Sequence, residues 1–515
     1  MRKIASALLL SAMLLGYESC KEKELDLKPG EPTEESFFSN EVEFNRGVIG
    51  IYQKLLYYYQ IHRGNQTPWQ GTILLADDDV RAAGASRIDQ WNINVGDAEG
   101  IYRTSYEMIF RANALLDQLQ KKGDVLSANN RKYYEGEALF LRAYANFLLW
   151  NTFGTAPNVT TRLELSELNT PNSQGTQLLD QAIEDLKVAE TLLPTREQWG
   201  VDNLGRVTVG SAKALLGKAY LFKQEYGQAA AKLAEVTGYS LVPNYGLNFL
   251  PTSENNAESI FEVQFGPTIA SENNGWIDND NFTVVGTLAA YRGQFSIDFS
   301  WATGESFVPT TPLVNSFEPG DPRRRWTFFS VGDTLKKDGG LYTETTSKRS
   351  PSGHHFSKYL KFAGPDYGGP DFYANPSVDF NNERVLRYAD VLLMRAEALN
   401  ESGGSTTEII GLINQVRARA RNSTQPASLE PADRPLIGDR NQIMQWIMNE
   451  RRTELALEGH RLFDLFRWHR AGKINLTQWN WDTANANWEP RNILFPIPQR
   501  EIDLTNGSLQ QNSGY

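Results

Sequence analysis

The sequence predicts a mainly α-helical fold, a scaffold of tetratricopeptide-type helix pairs with one loop-rich face and few short strands. Three observations predict it. Apolar residues recur at helical spacing through most of the chain. Two segments carry the residue spacing of a tetratricopeptide helix pair. Between Gly238 and Asn381 the helical period disappears, and clusters of Asn, Gly, Pro and Ser separate short apolar runs.

The composition is that of a globular protein with a sizeable core. The chain has 515 residues, of which 40% are hydrophobic and 22% charged. Its formal net charge is −11 and it contains no basic stripe, which argues against a nucleic-acid-binding protein. The 12 Trp, 21 Tyr and 25 Phe residues exceed what helix packing needs, so we expect some of them to be exposed for ligands.

The N-terminus has the layout of a lipoprotein signal peptide. Arg2 and Lys3 precede the apolar run Ile4–Leu15, which is too short to span a bilayer, and Cys20 follows. The sequence predicts a signal peptide over 1–19 and lipidation of the cysteine. The residues before the cysteine depart from the commonest lipobox, and a cytosolic protein with a chance apolar N-terminus is the alternative. Because the cysteine has no partner, no disulfide and no CxxC metal site is expected.

The connection from Gln60 to Glu99 is the first irregular segment. It follows the helical spacing of Glu43–Tyr59 and precedes helices predicted over Gly100–Gln120 and Arg131–Asn151. Gly, Asn and Asp residues dominate it. A loop of this length inside a compact domain is usually functional, so we expect it to carry part of a binding site.

Two segments indicate tetratricopeptide-type helix pairs. In Gly217–Val236, the small residues Gly217 and Ala229 fall where the two helices of such a pair approach closely. Leu178–Pro194 matches the second helix of another pair, and Arg131–Asn151 is the expected first helix.

A third, looser pair is predicted over Leu386–Asn400 and Thr406–Ala420.

We divide the mature chain into a lipidated cysteine with its tether at 20–40, an N-terminal helical region at 41–237 and a C-terminal region at 238–515. The last of these contains the loop-rich middle insert. We expect the two regions to pack as one compact unit.

The stretch Asn449–Arg470 is unusually rich in charge. Glu450, Glu454 and Glu458 recur every four residues, so we expect them on one face of a helix that Gly459 ends. Large apolar residues are interleaved with further charges beyond the glycine, and charges in such surroundings need to pair. Two interpretations are open: an acid/base cluster of Glu, His and Asp, or a buried structural lattice of Glu, Arg and Asp.

Catalytic motifs do not support the acid/base interpretation. The sequence has no HExxH, no GxSxG, no Walker loop and no GxGxxG after a strand. A glycosidase needs two carboxylates across a sugar-sized gap. Asp77, Asp78 and Asp79 supply candidates, but nothing in the sequence nominates a partner. His354 and His355 are adjacent and diverge on regular structure rather than chelate a metal. Enzymatic activity is therefore unsupported by the residues.

Four blocks, in this order, resemble one family closely. They are GIYRTSYEMIFRANALLDQL at 100–119, YEGEALFLRAYANFLLWNTFGTAPNV at 134–159, RVLRYADVLLMRAEALNE at 384–401 and NERRTELALEGHRLFDLFRWHR at 449–470. With the lipoprotein start and the helix pairs, they make nearly the whole mature chain resemble the SusD/RagB surface lipoproteins of Bacteroidetes.

The resemblance implies a helical fold on four tetratricopeptide-type units with a loop-rich ligand-binding face, without enzymatic activity and without a cofactor. It also implies a lipid-anchored protein exposed at the surface of the outer membrane. Such proteins capture oligosaccharides or polysaccharides for a SusC-like TonB-dependent transporter. Some members bind peptides, so a RagB-like peptide-binding lipoprotein is the alternative. The charged tether Lys21–Glu24 is similar to the export signal of such lipoproteins.

Sugar recognition suits the composition, because a sugar offers flat C–H faces to aromatic rings and a rim of hydroxyls to polar groups. Ligand residues of the family come mainly from the loops before the first block and from the middle region. The candidate ligand-binding residues are therefore Asp77, Asp79, Arg81, Trp91, Trp276, Tyr291 and Trp301. For each of them, packing is the alternative role. Whether a metal such as calcium braces the Asp-rich loop stays open.

The resemblance assigns the charged stretch to structure rather than to catalysis. Its carboxylates and guanidinium groups are expected to pair and to lock the helical scaffold. The expected lattice residues are Glu450, Glu454, Glu458, Arg461, Asp464 and Arg467.

Overall fold

The computed structural model describes residues 37–59, 69–82, 86–164, 167, 169–265, 307–330, 334–337, 340–343, 353–356, 358, 382–481 and 487–515. Helices dominate this part of the chain, which confirms the predicted mainly α-helical fold. None of the described helices is long and apolar enough to cross a membrane. The α-helices are α1 (Glu41–Tyr59), α2 (Trp69–Leu75), α3 (Glu99–Lys122), α4 (Ala128–Phe153), α5 (Gln177–Leu192), α6 (Arg196–Trp199), α7 (Val209–Phe222), α8 (Tyr226–Ala234), α9 (Thr311–Ser316), α10 (Pro322–Thr327), α11 (Tyr388–Glu401), α12 (Thr406–Arg421), α13 (Arg440–Glu454), α14 (Arg461–Arg470) and α15 (Gln499–Leu504).

The strands are short and pair two by two. They are β1 (Val80–Ala82), β2 (Ser259–Val263), β3 (Phe307–Pro309), β4 (Phe328–Ser330), β5 (Thr334–Lys337), β6 (Gly340–Thr343), β7 (His354–Phe356) and β8 (Glu383–Arg387). The antiparallel pairs are β1 with β3, β2 with β8, β4 with β7, and β5 with β6. Strands β1 and β8 each pair with a strand far from them in sequence, so these small sheets tie distant segments together.

Helix α4 is a deeply enclosed helix of the N-terminal half. Ser127 caps its N-terminus by accepting a hydrogen bond from the backbone N–H of Asn130, and Gly154, with φ of 67°, ends it. Every residue from Gly136 to Phe153 is buried. Apolar residues all around the helix explain this, because a helix that is apolar on every side needs neighbours on every side. Helices α3 and α5 supply two of them.

Helices α7 and α8 form the close pair that the sequence predicts. A β-carbon on Gly217 of α7 would lie 2.6 Å from the Leu233 side chain of α8, so glycine is what permits this approach. Helices α11 and α12 form the looser predicted pair, and Gly403, with φ of 80°, lies in the turn between them. Leu386, predicted to open the first of these two helices, lies in β8 instead.

The main hydrophobic core draws side chains from both halves of the chain. Phe140 of α4, for example, packs edge-on against Phe261 of β2 with ring centroids 5.2 Å apart. A second cluster lies among α11, α12 and α13 and includes Ile413 and Ile447.

Helix α13 ends earlier than the sequence predicts. It stops at Glu454, and the turn that follows contains Leu457 and Gly459, with φ of 66° and 72°. Glu458 therefore lies outside the helix and not on the face shared by Glu450 and Glu454. In this turn its carboxylate bonds to buried cations from other segments, Lys358 and Arg387.

Candidate ligand-binding face

Arg387, at the end of β8, is the centre of a buried ion-pair lattice. Its guanidinium donates to Glu458 (Nε–Oε2, 2.6 Å), Glu454 (Nη1–Oε1, 2.6 Å) and Glu258 (Nη1–Oε1, 2.8 Å). The Lys358 ammonium lies 2.6 Å from the other oxygen of Glu458. All five side chains have no solvent exposure, so water does not screen these pairs.

The other charged residues of the expected lattice are also paired. The pairs are Arg323–Glu450 (2.6 Å), Arg417–Glu450 (2.7 Å), Arg451–Asp464 (2.8 Å), Arg467–Asp464 (2.8 Å), Arg467–Glu397 and Arg461–Asp78 (2.6 Å). Among these, the pairs Arg451–Asp464 and Arg467–Asp464 each join two members of the charged stretch. The remaining partners come mostly from distant segments, so the lattice connects the stretch to the rest of the scaffold.

The ionisation states of Glu458 and His460 match a structural ion-pair lattice rather than a catalytic pair. Burial would raise the pKa of Glu458, but Arg387 and Lys358 hold it below its usual value. Burial and the ammonium of Lys218 lower the pKa of His460 to about 4. At neutral pH the carboxylate therefore has no proton to donate and the imidazole stays neutral, which does not match an acid/base pair tuned to that pH.

The aspartate turn between α2 and β1 is fixed to the charged stretch. Asp78 accepts hydrogen bonds from Arg461 Nε (2.6 Å) and from the indole N–H of Trp479 (3.0 Å). Asp79 accepts one from Arg452 Nε (2.6 Å). These bonds fasten the middle of the predicted connection Gln60–Glu99 to α13, α14 and the segment after α14.

The side chain of Asp77 stabilises the same turn by bonding to its backbone. Its Oδ1 accepts hydrogen bonds from the backbone N–H groups of Asp79 (2.8 Å) and Val80 (2.9 Å). Asp77 and Asp79 are 5% and 1% exposed. This corrects the expectation that the two carboxylates contact a ligand: buried and bonded in this way, they anchor the turn and are closed to the hydroxyl groups of a sugar.

The anchored turn holds the ribbon formed by β1 and β3. Thr310, directly after β3, donates its hydroxyl to the backbone oxygen of Asp78 (2.9 Å) and its N–H to that of Asp79 (2.9 Å). Arg81 lies on β1 opposite Val308 and is half-buried. Of the candidate ligand residues that the structure describes, Arg81 is the one that keeps a partly exposed position.

Trp91 belongs to the core. It is 3% exposed, and its ring centroid lies 5.0 Å from that of Trp481 and 6.1 Å from that of Phe466. The expectation that Trp91 is an open aromatic platform is thereby corrected, because its two neighbours and the surrounding core leave no ring face for a sugar.

Trp276, Tyr291 and Trp301 lie outside the described residues. The segment that carries them runs directly into β3, the strand that the aspartate turn holds. Among the residues that the structure describes, no group of three or more His, Cys, Asp or Glu side chains is placed to hold a metal ion.

Asp77→Asn is expected to leave the protein as stable as the wild type, or more stable, at pH 7. Burial and the charges of Asp79 and Asp78 raise the pKa of Asp77 well above its usual value. A raised pKa means that the protonated acid stabilises the fold at low pH and that this contribution is lost as the pH rises through the folded-state pKa. The free energy of unfolding of the variant should therefore increase relative to that of the wild type as the pH rises. Urea denaturation at several pH values measures this difference.

Asp78→Asn is the matched comparison one residue away. Burial would raise the pKa of Asp78, but Arg461 and Arg452 hold it well below its usual value. Its stabilising contribution is therefore present above the unfolded pKa, near 3.9, and is lost as the pH falls through the folded value. This variant should be less stable at pH 7. If both variants lose equal stability at pH 7, the assigned ionisation states are wrong.

Comparison with known proteins identifies the family. A model described as "SusD family" matches residues 257–515, and one described as "Starch-binding associating with outer membrane" matches 25–221. The SusD-like protein P38 of Formosa agariphila is 24% identical, with 100% of this chain and 99% of that protein aligned. The SusD-like protein P25 of the same organism is also 24% identical, over 93% of this chain and 94% of that protein.

Solved structures show the same fold. A laminarin-binding SusD-like protein is 28% identical, with a TM-score of 0.71 over 93% of this chain and 100% of that chain. The surface glycan-binding protein A of Bacteroides thetaiotaomicron is 22% identical, with a TM-score of 0.69 over 93% and 100% of the two chains. The helical scaffold is thus that of SusD-like proteins. The chain belongs to the SusD family, which confirms the resemblance read from the four sequence blocks.

Proposed function

We propose that the protein is a cell-surface glycan-binding lipoprotein that captures oligosaccharides and delivers them to a SusC-like TonB-dependent outer-membrane transporter. The observation that carries this proposal is the likeness to the laminarin-binding SusD-like protein, which extends over 93% of the chain at 28% identity. The description of the family model that matches the N-terminal half, which names starch binding and the outer membrane, supports it.

The ligand site in this proposal lies on the β1–β3 ribbon and the segment that precedes β3. Arg81 supplies a guanidinium for hydroxyl oxygens, and Trp276, Tyr291 and Trp301 supply aromatic faces for the sugar rings. The aspartate turn contributes indirectly by fixing the base of the ribbon. A site held by rigid elements keeps its polar groups in place before the ligand arrives, which lowers the entropic cost of binding.

We also propose that the protein binds its glycan without cleaving it. A glycosidase needs one carboxyl group that is protonated to act as the acid and a second one that is ionised. Near the ribbon, Asp78 and Asp79 are bonded to Arg461 and Arg452, and the buried carboxylates of Asp77 and Asp89 accept hydrogen bonds from backbone N–H groups of β1. These contacts support a role in anchoring rather than in hydrolysis.

Calorimetric titration against a polysaccharide panel that includes laminarin and starch, and against a peptide library, tests the proposed function. We expect binding of at least one glycan, no binding of peptides, and no release of reducing sugar on long incubation. Peptide binding without a glycan response would contradict the proposal and favour a RagB-like peptide receptor. Released sugar would contradict the non-catalytic role.

Cys20→Ala is expected to release the protein from the membrane. Cys20 lies outside the described residues, and the proposed anchor is the lipid on its thiol. Fractionation of cells that express the wild type or the variant measures this. An alanine variant that stays in the membrane fraction as fully as the wild type would rule out the lipid on Cys20 as the anchor.

A further inference from the structure

A small cavity of about 30 Å³ lies where the N-terminal helices meet the turn before α14. Tyrosine, phenylalanine and leucine side chains form much of its wall, and all of its lining residues are buried. The acidic and basic side chains Lys218, Glu458, His460 and Asp464 also line it. Neither the ion-pair lattice nor the proposed ligand site requires such a space, so its polar lining needs its own explanation.

The contacts of His460 fix its tautomer. The ammonium of Lys218 lies 3.1 Å from Asp390 Oδ2 and 3.1 Å from His460 Nδ1. An ammonium group has three donors and no acceptor, so Nδ1 is the acceptor in this contact. The neutral ring then carries its proton on Nε2.

The Nε2–H group of His460 has no hydrogen-bond partner among the described residues. Asp390 Oδ2 lies 4.0 Å away, which is beyond hydrogen-bond distance. His460 is 8% exposed, so the donor is also shut off from bulk solvent. Buried donors in folded proteins nearly always have a partner, either protein or ordered water.

We infer that ordered water binds where His460 meets the cavity, with one molecule accepting a hydrogen bond from His460 Nε2–H and donating one to Asp390 Oδ2, an atom beside His460 whose residue does not itself line the cavity. A gap of 4.0 Å between a donor and an acceptor is one that a water molecule bridges. A water needs about 10–15 Å³ of such space and two to four polar partners, so the cavity of about 30 Å³ has room for two or three molecules. The carboxylates of Asp390, Asp464 and Glu458 disfavour an anion, and the N–H donor disfavours a metal ion.

This water completes a network of polar side chains, here called the polar seam, at the contact between the two parts of the chain that the family models match. Lys218 belongs to the N-terminal part, whereas His460, Asp390 and Asp464 belong to the C-terminal part. Arg451 extends the seam by pairing with Asp390 (2.7 Å) and with Asp464 (2.8 Å). With the water in place, hydrogen bonds and ion pairs of the polar seam join the N-terminal part of the chain to the C-terminal part.

A crystal structure of the wild-type protein, at a resolution that shows ordered water, tests the inference. We expect electron density within hydrogen-bond distance of His460 Nε2. An empty cavity would overturn the inference. Crystals soaked in bromide separate water from a halide ion, because an anomalous peak in the cavity would show that an anion binds there instead.

Spectra of the protein with ¹⁵N-labelled histidine test the tautomer in solution. The expected signal of His460 is that of the neutral ring protonated at Nε2, and a proton on Nδ1 would overturn the argument. Lys218→Met should change this signal, because it removes the donor to Nδ1. Lys213→Met is the matched control on the same helix: Lys213 pairs with Glu235 at the surface, and its loss should leave the His460 signal unchanged.

Discussion

Glu458→Ala is expected to lower the free energy of unfolding by about 3–5 kcal/mol, because it removes the carboxylate that pairs with two buried basic groups. Lys358 and Arg387 both bond to this carboxylate and have no solvent exposure. Burial lowers the pKa of Lys358 to about 8 even with Glu458 present to raise it. Without that carboxylate the lysine is expected to lose its proton, and Arg387 keeps a charge with one partner fewer. Chemical denaturation of the purified chain measures the loss.

Glu184→Ala is the matched control for this change. Glu184 also forms an ion pair, with Lys187 at 2.7 Å, but both side chains are exposed. Exposed pairs contribute little, so the control should change stability by no more than about 0.5 kcal/mol. An equally small loss for the Glu458 variant would mean that the lattice does not hold the scaffold together.

Trp91→Ala is expected to lower the free energy of unfolding by about 3–5 kcal/mol, the usual cost of removing a buried aromatic side chain. The indole packs against Trp481 and Phe466 and is 3% exposed, so its removal leaves a cavity between the residues after β1 and the C-terminal segment. Trp91 also has a φ of 59°, a conformation that the packing of the side chain helps to hold. Thermal or chemical denaturation measures the effect.

Phe110→Ala is the matched control for Trp91. Phe110 is a large aromatic residue on α3 that is 56% exposed, so its removal should change stability by no more than about 0.5 kcal/mol. If the Trp91 variant keeps the wild-type melting temperature but loses glycan binding, Trp91 is a ligand platform after all.

The scaffold was predictable from the sequence because its signals are local. Helical spacing, the small residue Gly217 and the four sequence blocks all lie within single segments. These segments form the predicted helices, apart from Leu386, which lies in β8, and the earlier end of α13. The density of charge between Asn449 and Arg470 also indicated ion pairing. Its partners were not predictable, since Arg387 and Arg323 lie 67 and 131 residues from Glu454.

The roles of the aspartate turn depended on contacts that no local pattern reveals. Arg452 and Arg461 reach Asp79 and Asp78 across 373 and 383 residues of sequence. An acidic triplet in a polar connection looks the same whether it faces a ligand or an arginine from the other end of the chain. Arg323 is likewise a buried part of the lattice, paired with Glu450 and Glu454 more than 100 residues away.

The central claim is that glycans bind at the face formed by the β1–β3 ribbon and the segment before β3. Calorimetric titration tests it most directly, with laminarin and the other glycans of the panel added to the wild type and to Trp301→Ala. The wild type should bind, and the variant should bind at least about tenfold more weakly, a loss of about 1.4 kcal/mol, with an unchanged melting temperature. Arg87→Ala, which removes an exposed arginine from a nearby segment, should bind as the wild type does. A Trp301→Ala variant with wild-type affinity, or a wild type that binds no glycan, would contradict the claim.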